Sequence, residues 1–146
     1  MNNVRNYITL QDVRYPGIIH VKYQVDTDVL DLAVPNVFIQ PIVENAIYHG
    51  LARKSEGGNL YINAFKENDT LKIIIEDNGA GMSEEKVKEL LSEDNINRDG
   101  MRKIGIANVY NRIQHIYGEN YGMTVKSEEG KGTKITISMP AVLYER

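Results

Sequence analysis

The fold of this chain is decided by residues 71–82, which read LKIIIEDNGAGM. Period-two alternation in the predicted strand places Asp77 on the same face as the leucine and isoleucines at the odd-numbered positions. A carboxylate on an apolar face needs a polar partner. Gly79 and Gly81 follow, and glycines permit either a sharp turn or the close approach of a flat ligand. The stretch therefore suits either a hairpin turn or the edge of a nucleobase.

The hairpin interpretation depends on a second strand following the glycines, because Asp-Asn-Gly is a common turn between strands. The residues that follow, Ser83–Leu91, instead predict a helix. Ser83 is a favourable N-cap, and Glu84 and Glu85 place acids in the first turn. Because a helix and not a second strand follows the glycines, the sequence favours the ligand-binding interpretation over the hairpin turn.

Composition bounds the class of protein. The 146 residues fit one domain, 42% of them are hydrophobic, and the net charge of −3 gives no general attraction to nucleic acid or membrane surfaces. The absence of cysteine excludes disulfides and sulfur-ligated zinc, and the three histidines have no paired spacing. No apolar run approaches the ~20 residues that span a bilayer. We expect a cytoplasmic domain with no nucleic-acid partner.

The hydrophobic periodicity predicts an α+β domain. The predicted elements are a helix over Val4–Val13, a strand over Ile18–Val25, a helix over Val37–Gly50, a hairpin of Leu60–Lys66 and Leu71–Asp77, the helix near Ser83–Leu91, a loop over Ser92–Lys103, a helix over Ile106–Tyr117, and strands over Met123–Ser127 and Thr133–Met139. Pro41 predicts that the regular helix begins or kinks there. This order suggests a two-layer sandwich, with an antiparallel-rich mixed sheet covered by helices on one face.

Four short motifs occur in a fixed order along the chain: Glu44-Asn45, Asp77-x-Gly79-x-Gly81, Gly105-Ile106-Ala107-Asn108 and Gly130-Lys131-Gly132-Thr133. Together they resemble the N, G1 and G2 boxes and the final Gly-x-Gly-Thr of the GHKL ATPase superfamily. Within it, residues 40–50 (QPIVENAIYHG) resemble the nucleotide-binding helix of LytS-type sensor histidine kinases. The resemblance implies the Bergerat fold, with residues 1–15 ending a dimerisation and phosphoacceptor helical segment and residues 16–146 forming the ATP-binding catalytic domain.

The resemblance implies roles for the residues at the base end of an ATP site. Asp77 would accept a hydrogen bond from the exocyclic amine of adenine, whereas guanine presents an oxygen there and would be rejected. Gly79 and Gly81 would clear space beside the base and start the lid, and Met82 is counted with them among the cofactor-binding residues. Thr133 is counted among the cofactor-binding residues, although with Gly130 and Gly132 it looks structural, forming a tight entry to the last strand.

At the phosphate end, the resemblance assigns Asn45 as a Mg²⁺ ligand, since magnesium takes oxygen ligands and keeps several waters. Glu44 is the candidate general base or polarising group, although an exposed helical glutamate is also common. His49 is either near the phosphates or a simple helix-terminal histidine. The lid and the next helix would supply further cofactor-binding groups, from Lys103, Gly105, Ile106 and Asn108.

Three positions depart from the family pattern. Tyr48 stands where many members have lysine, Lys103 where many have glycine, and Pro41 where gyrase-like relatives carry their base. Tyr48 and Lys103 keep a non-catalytic nucleotide-binding module open as an alternative, and a serine kinase of the anti-sigma-factor type, which belongs to the same superfamily, is the other alternative. The expected partners are ATP, phosphoacceptor and dimerisation helices upstream of residue 1, and a response regulator receiver domain. The full-length protein is expected to be a membrane-bound homodimer.

Overall fold

A computed structural model describes residues 2–3, 19–46, 58–91 and 106–143 of the chain. Within these ranges the strands are β1 (Asn2–Asn3), β2 (Ile19–Val25), β3 (Ala33–Val34), β4 (Gly58–Glu67), β5 (Thr70–Asp77), β6 (Gly122–Glu128) and β7 (Gly132–Pro140). The helices are α1 (Asn36–Asn45), α2 (Glu84–Leu90) and α3 (Ile106–Tyr117), with a 3-10 turn at Thr27–Val29. The α+β fold class is confirmed.

Five strands form the main sheet in the order β2-β4-β5-β7-β6. The β2–β4 pair is parallel, and the pairs β4–β5, β5–β7 and β7–β6 are antiparallel. The last strand of the chain thus lies inside the sheet, between β5 and β6. This order brings the carboxyl end of β5, the carboxyl end of β6 and the amino end of β7 to one edge of the molecule.

One face of the sheet is buried, and the described side chains of the other face are half-buried or exposed. Alternate residues of β4, β5 and β7 point into the core, where α1 and α3 contribute apolar stripes that pack on the same face. The buried side chains at the centre of this cluster are those of Phe38, Ile42, Leu60, Leu71, Ile73, Ile75, Ile106, Ile113, Ile137 and Met139. The predicted arrangement of helices over one sheet face is therefore confirmed.

The helix α1 begins at Asn36 and runs through Pro41, so it neither starts at that proline nor ends there. Proline removes one backbone donor from a helix interior, and the remaining bonds and side-chain contacts still hold the helix. Those contacts come from Phe38, Ile39, Ile42 and Val43, which are all buried. Packing against the sheet holds the helix through the proline, so the predicted start near Val37 is confirmed and the alternative start at Pro41 is wrong.

The other predicted elements in the described ranges form nearly as expected. The β4–β5 hairpin closes at Asn68-Asp69, with Asn68 in the left-handed region at φ 56°. The backbone N–H of Lys86 donates to Ser83 Oγ at 3.2 Å, which confirms Ser83 as the N-cap of α2. The short antiparallel pair of β1 with β3 was not predicted.

Several predictions lie outside the described residues. They are the helix over residues 4–13, the carboxyl end of the helix over residues 37–50, and the loop over residues 92–103. In the ranges that the structure describes, no helix combines the length and apolar character needed to cross a lipid bilayer.

Candidate functional site

Asp77 is the last residue of β5, and its side chain is only 5% exposed. Its neighbours in the sheet are Leu60 on β4 and Thr133 on β7. The backbone N–H of Gly79 donates to Asp77 Oδ1 at 2.8 Å, which holds the carboxyl group in one orientation. A carboxylate has roughly four acceptor positions, so this bond alone does not exhaust its capacity. The predicted acid at a strand end is therefore a buried, oriented acceptor.

The segment after Asp77 packs backbone to backbone against the β6–β7 turn. Gly81 adopts φ +69°, and a Cβ atom there would overlap the carbonyl oxygen of Glu128. Gly132 adopts φ +119°, and a Cβ atom there would overlap the carbonyl oxygen of Asp77. The N–H of Gly130 donates to the Ala80 carbonyl at 2.7 Å. Only glycine permits both of these close approaches, so the two glycine motifs clamp each other.

Asn78 ties the same segment to β4. The backbone N–H of Asn59 donates to Asn78 Oδ1 at 2.8 Å, and the N–H of Asn78 donates to the Asn59 carbonyl at 3.3 Å. The segment that leaves β5 is thus held on both sides, by β4 through Asn78 and by the β6–β7 turn through its glycines. The Asp77 carboxyl group stands on a backbone that is fixed before any ligand arrives.

A residue that sequence reasoning missed lies beside this segment. Ser127 Oγ is 2.8 Å from the backbone nitrogen of Met82, 3.0 Å from the Gly132 carbonyl oxygen and 2.8 Å from Thr133 Oγ1. The sequence offered one signal for this residue: period-two alternation places Ser127 on the same strand face as Met123, so a hydroxyl group falls on the core-facing side. The serine is half-buried and joins Met82 to Thr133, two of the predicted site residues.

Glu44 and Asn45 are the last two residues of α1, and both are half-buried. The Gln40 side-chain amide donates to Glu44 Oε1 at 3.0 Å, one helical turn earlier. The apolar residues of α1 pack on the sheet face from which the Asp77 side chain projects. Helix α1, which carries Glu44 and Asn45, therefore lies on the same side of the sheet as the Asp77 side chain.

The remaining predicted residues divide between core, surface and undescribed positions. Ile106 begins α3 and is buried, so its side chain belongs to the core cluster, whereas Asn108 is half-buried. His49, Lys103 and Gly105 lie outside the described residues. In the described part of the chain, no group of three or more histidine and carboxylate side chains gathers as a metal cage. A magnesium ion carried in by phosphates and held by one amide oxygen needs no such cage.

Tyr117, at the end of α3, packs edge-on against Phe38 of α1 and against Tyr121, with ring centroids 6.2 and 6.4 Å apart. Burial raises the pKa of the Tyr117 phenol above its ordinary value of 10.0. The ring cluster fastens the far end of α3 to α1.

Comparison with known proteins identifies the family and agrees with the fold. Residues 36–143 match the family described as histidine kinase-, DNA gyrase B- and HSP90-like ATPases. The sensor histidine kinase/phosphatase LytS of Staphylococcus aureus, in strains Mu50 and N315, is 31% identical over 147 residues. That alignment covers 100% of this chain and 24% of LytS, so the chain spans about a quarter of the relative's length.

Solved structures with this fold include two histidine kinases. The catalytic domain of histidine kinase ThkA superposes with a TM-score of 0.67 at 14% identity, covering 93% of this chain and 89% of that one. The histidine kinase domain of the blue-light activated kinase EL346 from Erythrobacter litoralis superposes with a TM-score of 0.59 at 19% identity, covering 94% and 57%. At these identities the likeness shows the fold.

Proposed function

This chain belongs to the histidine kinase-, DNA gyrase B- and HSP90-like ATPase family, and we propose that it is the ATP-binding catalytic domain of a LytS-type sensor histidine kinase. The observation that carries the proposal is the Asp77 carboxyl group. It is buried, oriented by the Gly79 amide, and set in a backbone clamp that excludes side chains. The clamp fixes the backbone beside that carboxyl group, because the two loops meet at Gly81 and Gly132, where a Cβ atom would overlap a backbone carbonyl oxygen.

Asp77 selects adenine in this proposal. A fixed carboxylate is an acceptor, so it attracts an exocyclic amino group and repels a carbonyl oxygen at the same position of the base. A buried charge also needs compensation, and an amine donor supplies part of it. The selection is enforced by a backbone that does not have to rearrange on binding.

The phosphate end of the site is assigned to the carboxyl end of α1. Asn45 would hold Mg²⁺ through its amide oxygen, and the ion would neutralise charge on the phosphate groups. The amide oxygen is a hard donor suited to this ion, and its half-buried position on α1 leaves it accessible. The N-terminus of α3 would add backbone N–H donors to the phosphates.

The reaction is transfer of the γ-phosphoryl group to a histidine outside this chain. A bond forms between an imidazole nitrogen and the γ-phosphorus, the bond to the β–γ bridging oxygen breaks, and ADP leaves. Glu44 is assigned to accept a proton from the attacking imidazole or to polarise it. The hydrogen bond from Gln40 to Glu44 Oε1 supports this role, because it holds the carboxyl group in one direction.

The proposed partners start from the relative LytS, which is a sensor histidine kinase/phosphatase. We infer that the whole protein carries phosphoacceptor and dimerisation helices, forms a homodimer at a membrane with this domain on the cytoplasmic side, and passes its phosphoryl group to a response regulator.

Two measurements test the proposal. Calorimetric titration of the chain with Mg-ATP and Mg-GTP should give binding of ATP alone. Addition of the upstream phosphoacceptor segment and γ-labelled ATP should then place acid-labile, base-stable label on histidine. No ATP binding defeats the proposal. Tight ATP binding with no label supports a non-catalytic module, and label on a partner's serine supports the anti-sigma-factor type of kinase.

A further inference from the structure

Ser127 lies at the carboxyl end of β6, directly opposite Thr133 on β7. Its hydroxyl oxygen is within hydrogen-bond distance of three groups: the Met82 N–H at 2.8 Å, the Gly132 carbonyl at 3.0 Å and Thr133 Oγ1 at 2.8 Å. The Met82 N–H belongs to the segment after β5, whereas Gly132 and Thr133 are the first two residues of β7. One side chain of β6 therefore joins two segments that adjoin Asp77.

Only one assignment of donors and acceptors allows Ser127 to make all three hydrogen bonds. A hydroxyl group has one proton to donate and two lone pairs that accept. The Met82 N–H is a donor only and the Gly132 carbonyl is an acceptor only, so Ser127 donates its proton to Gly132 and accepts from Met82. One lone pair of Ser127 is left for Thr133, which must donate its own proton to complete the set. All three bonds are made together only with Thr133 as the donor.

The direction of the Thr133 proton decides what Thr133 offers to a ligand. With its proton committed to Ser127, Thr133 Oγ1 presents lone pairs alone, and it is an acceptor. Thr133 lies directly opposite Asp77 in the β5–β7 register, and residues so paired project on the same sheet face. Two acceptors then stand side by side, and they favour a base edge that carries an amino group over one that carries a carbonyl oxygen.

We propose that Ser127 is a positioning residue of the nucleotide site, which anchors the Met82 amide and fixes Thr133 as a hydrogen-bond acceptor toward the base. The nucleotide half of this inference rests on the proposed function. The anchor half rests on the Ser127 contacts alone and holds for the protein without ligand.

The test compares ATP with inosine triphosphate, which carries a carbonyl oxygen in place of the 6-amino group. Calorimetry gives both dissociation constants for wild type, Ser127→Ala, Ser127→Thr and the control Thr124→Ala, which removes a hydroxyl group from the open face of the same strand. Ser127→Ala frees the Thr133 proton to point at the base, so the preference for ATP should fall by about three- to tenfold, the effect of one hydrogen bond. Ser127→Thr and Thr124→Ala should keep the wild-type preference.

The claim that Thr133 is held as an acceptor would be overturned if Ser127→Ala left the ratio of the two dissociation constants unchanged. The same holds if the affinities for ATP and inosine triphosphate weakened by the same factor. Should Ser127→Ala not fold, Thr133→Val tests the same ratio, because it removes the second acceptor and leaves Ser127 bonded to Met82 and Gly132. The expected result is again a lower preference for ATP.

Hydrogen exchange tests the anchor without nucleotide. The Met82 amide should exchange faster in Ser127→Ala than in wild type, and at the wild-type rate in Ser127→Thr and Thr133→Val. Equal Met82 exchange in wild type and Ser127→Ala would overturn the anchor. A wild-type chain that fails to bind ATP defeats the proposed function and the nucleotide half of this inference, whereas the exchange result still decides the anchor.

Discussion

Asp77 and Thr133 face each other across the β5–β7 pair, at the edge where both glycine motifs meet. Their exposed fractions are 5% and 7%, and they are the polar or charged residues that the described part of the chain buries. Polar side chains are rarely buried without a purpose in hydrogen bonding. Their pairing joins the first and last of the glycine-containing motifs into one polar spot within an apolar face.

The charge of Asp77 is expected to decide base selection. Asp77→Asn keeps an oxygen that accepts from the Gly79 N–H but replaces the other acceptor by a donor. Loss of a charge-assisted hydrogen bond should weaken ATP binding by about 10- to 100-fold. Calorimetry checks this, with Asp69→Asn in the exposed β4–β5 turn as the control. ATP affinity within twofold of wild type would contradict the adenine assignment.

The contact of Gly81 with Glu128 should make Gly81 intolerant of any side chain. Gly81→Ala forces a Cβ atom into the Glu128 carbonyl, so the two loops must separate. Gly130→Ala is the matched control, since Gly130 has a similar φ of +83° and open space around it. The control should lose about 1 kcal/mol from left-handed strain, and Gly81→Ala at least twice that. Urea unfolding gives the free energy of unfolding of both variants. Equal losses would show that the contact between Gly81 and Glu128 adds no penalty to the left-handed strain.

Glu44 should act on transfer and leave binding nearly unchanged. Glu44→Gln keeps an oxygen for the Gln40 amide and removes the basic carboxylate. In a protein that includes the phosphoacceptor segment, the rate of histidine phosphorylation should fall by about 100-fold or more, as expected for loss of a general base. ATP affinity should stay within threefold. Glu85→Gln, on the exposed first turn of α2, is the control. An unchanged rate would remove Glu44 from the catalytic assignment.

The increase in ATP affinity that Mg²⁺ produces is expected to depend on Asn45. Asn45→Ala removes the proposed amide ligand, so the gain in ATP affinity on adding Mg²⁺ should shrink by about tenfold, while affinity in chelator should not change. Titrations with and without magnesium give both numbers. If the variant retains the full magnesium-dependent gain, the ion is held by other groups.

Tyr117 should make stability fall at high pH. Burial raises the pKa of its phenol, so the folded chain holds this proton more tightly than the unfolded chain does. The resulting stability is complete below the unfolded pKa of about 10 and is lost as the pH rises through the higher folded value. Urea unfolding between pH 8 and pH 11, taken as rough limits around that pKa, should show the loss in wild type. Tyr117→Phe should flatten the dependence of the unfolding free energy on pH, whereas the control Tyr61→Phe, at an exposed position, should not. An equally steep dependence in Tyr117→Phe would contradict this prediction.

Much of the fold and site was accessible from sequence. Period-two alternation in β5 already placed Asp77 with the core-facing residues, and the Ser83 cap and the acids after it already located α2. These features depend on neighbours within one or two turns, so local patterns report them. The start of α1 agrees with the predicted Val37 to within one residue, whereas the alternative start at Pro41 is wrong, because packing that a local pattern does not contain holds the helix through the proline.

Ser127 shows what the sequence alone did not determine. Its partner Met82 is 45 residues away, and no periodicity relates the two. Their contact exists because β7 inserts between β5 and β6 in a register that sets Thr133 opposite both Asp77 and Ser127.

The sequence by itself determined most of the elements, the buried face of β5, and the motifs that identify the family, since each is written in residues close together along the chain. Only the tertiary structure decided which strand ends meet, and therefore which hydroxyl groups surround the Asp77 carboxyl group. The physical reason is that strand order and register are set by the packing of the whole sheet against its helices, which no short segment encodes.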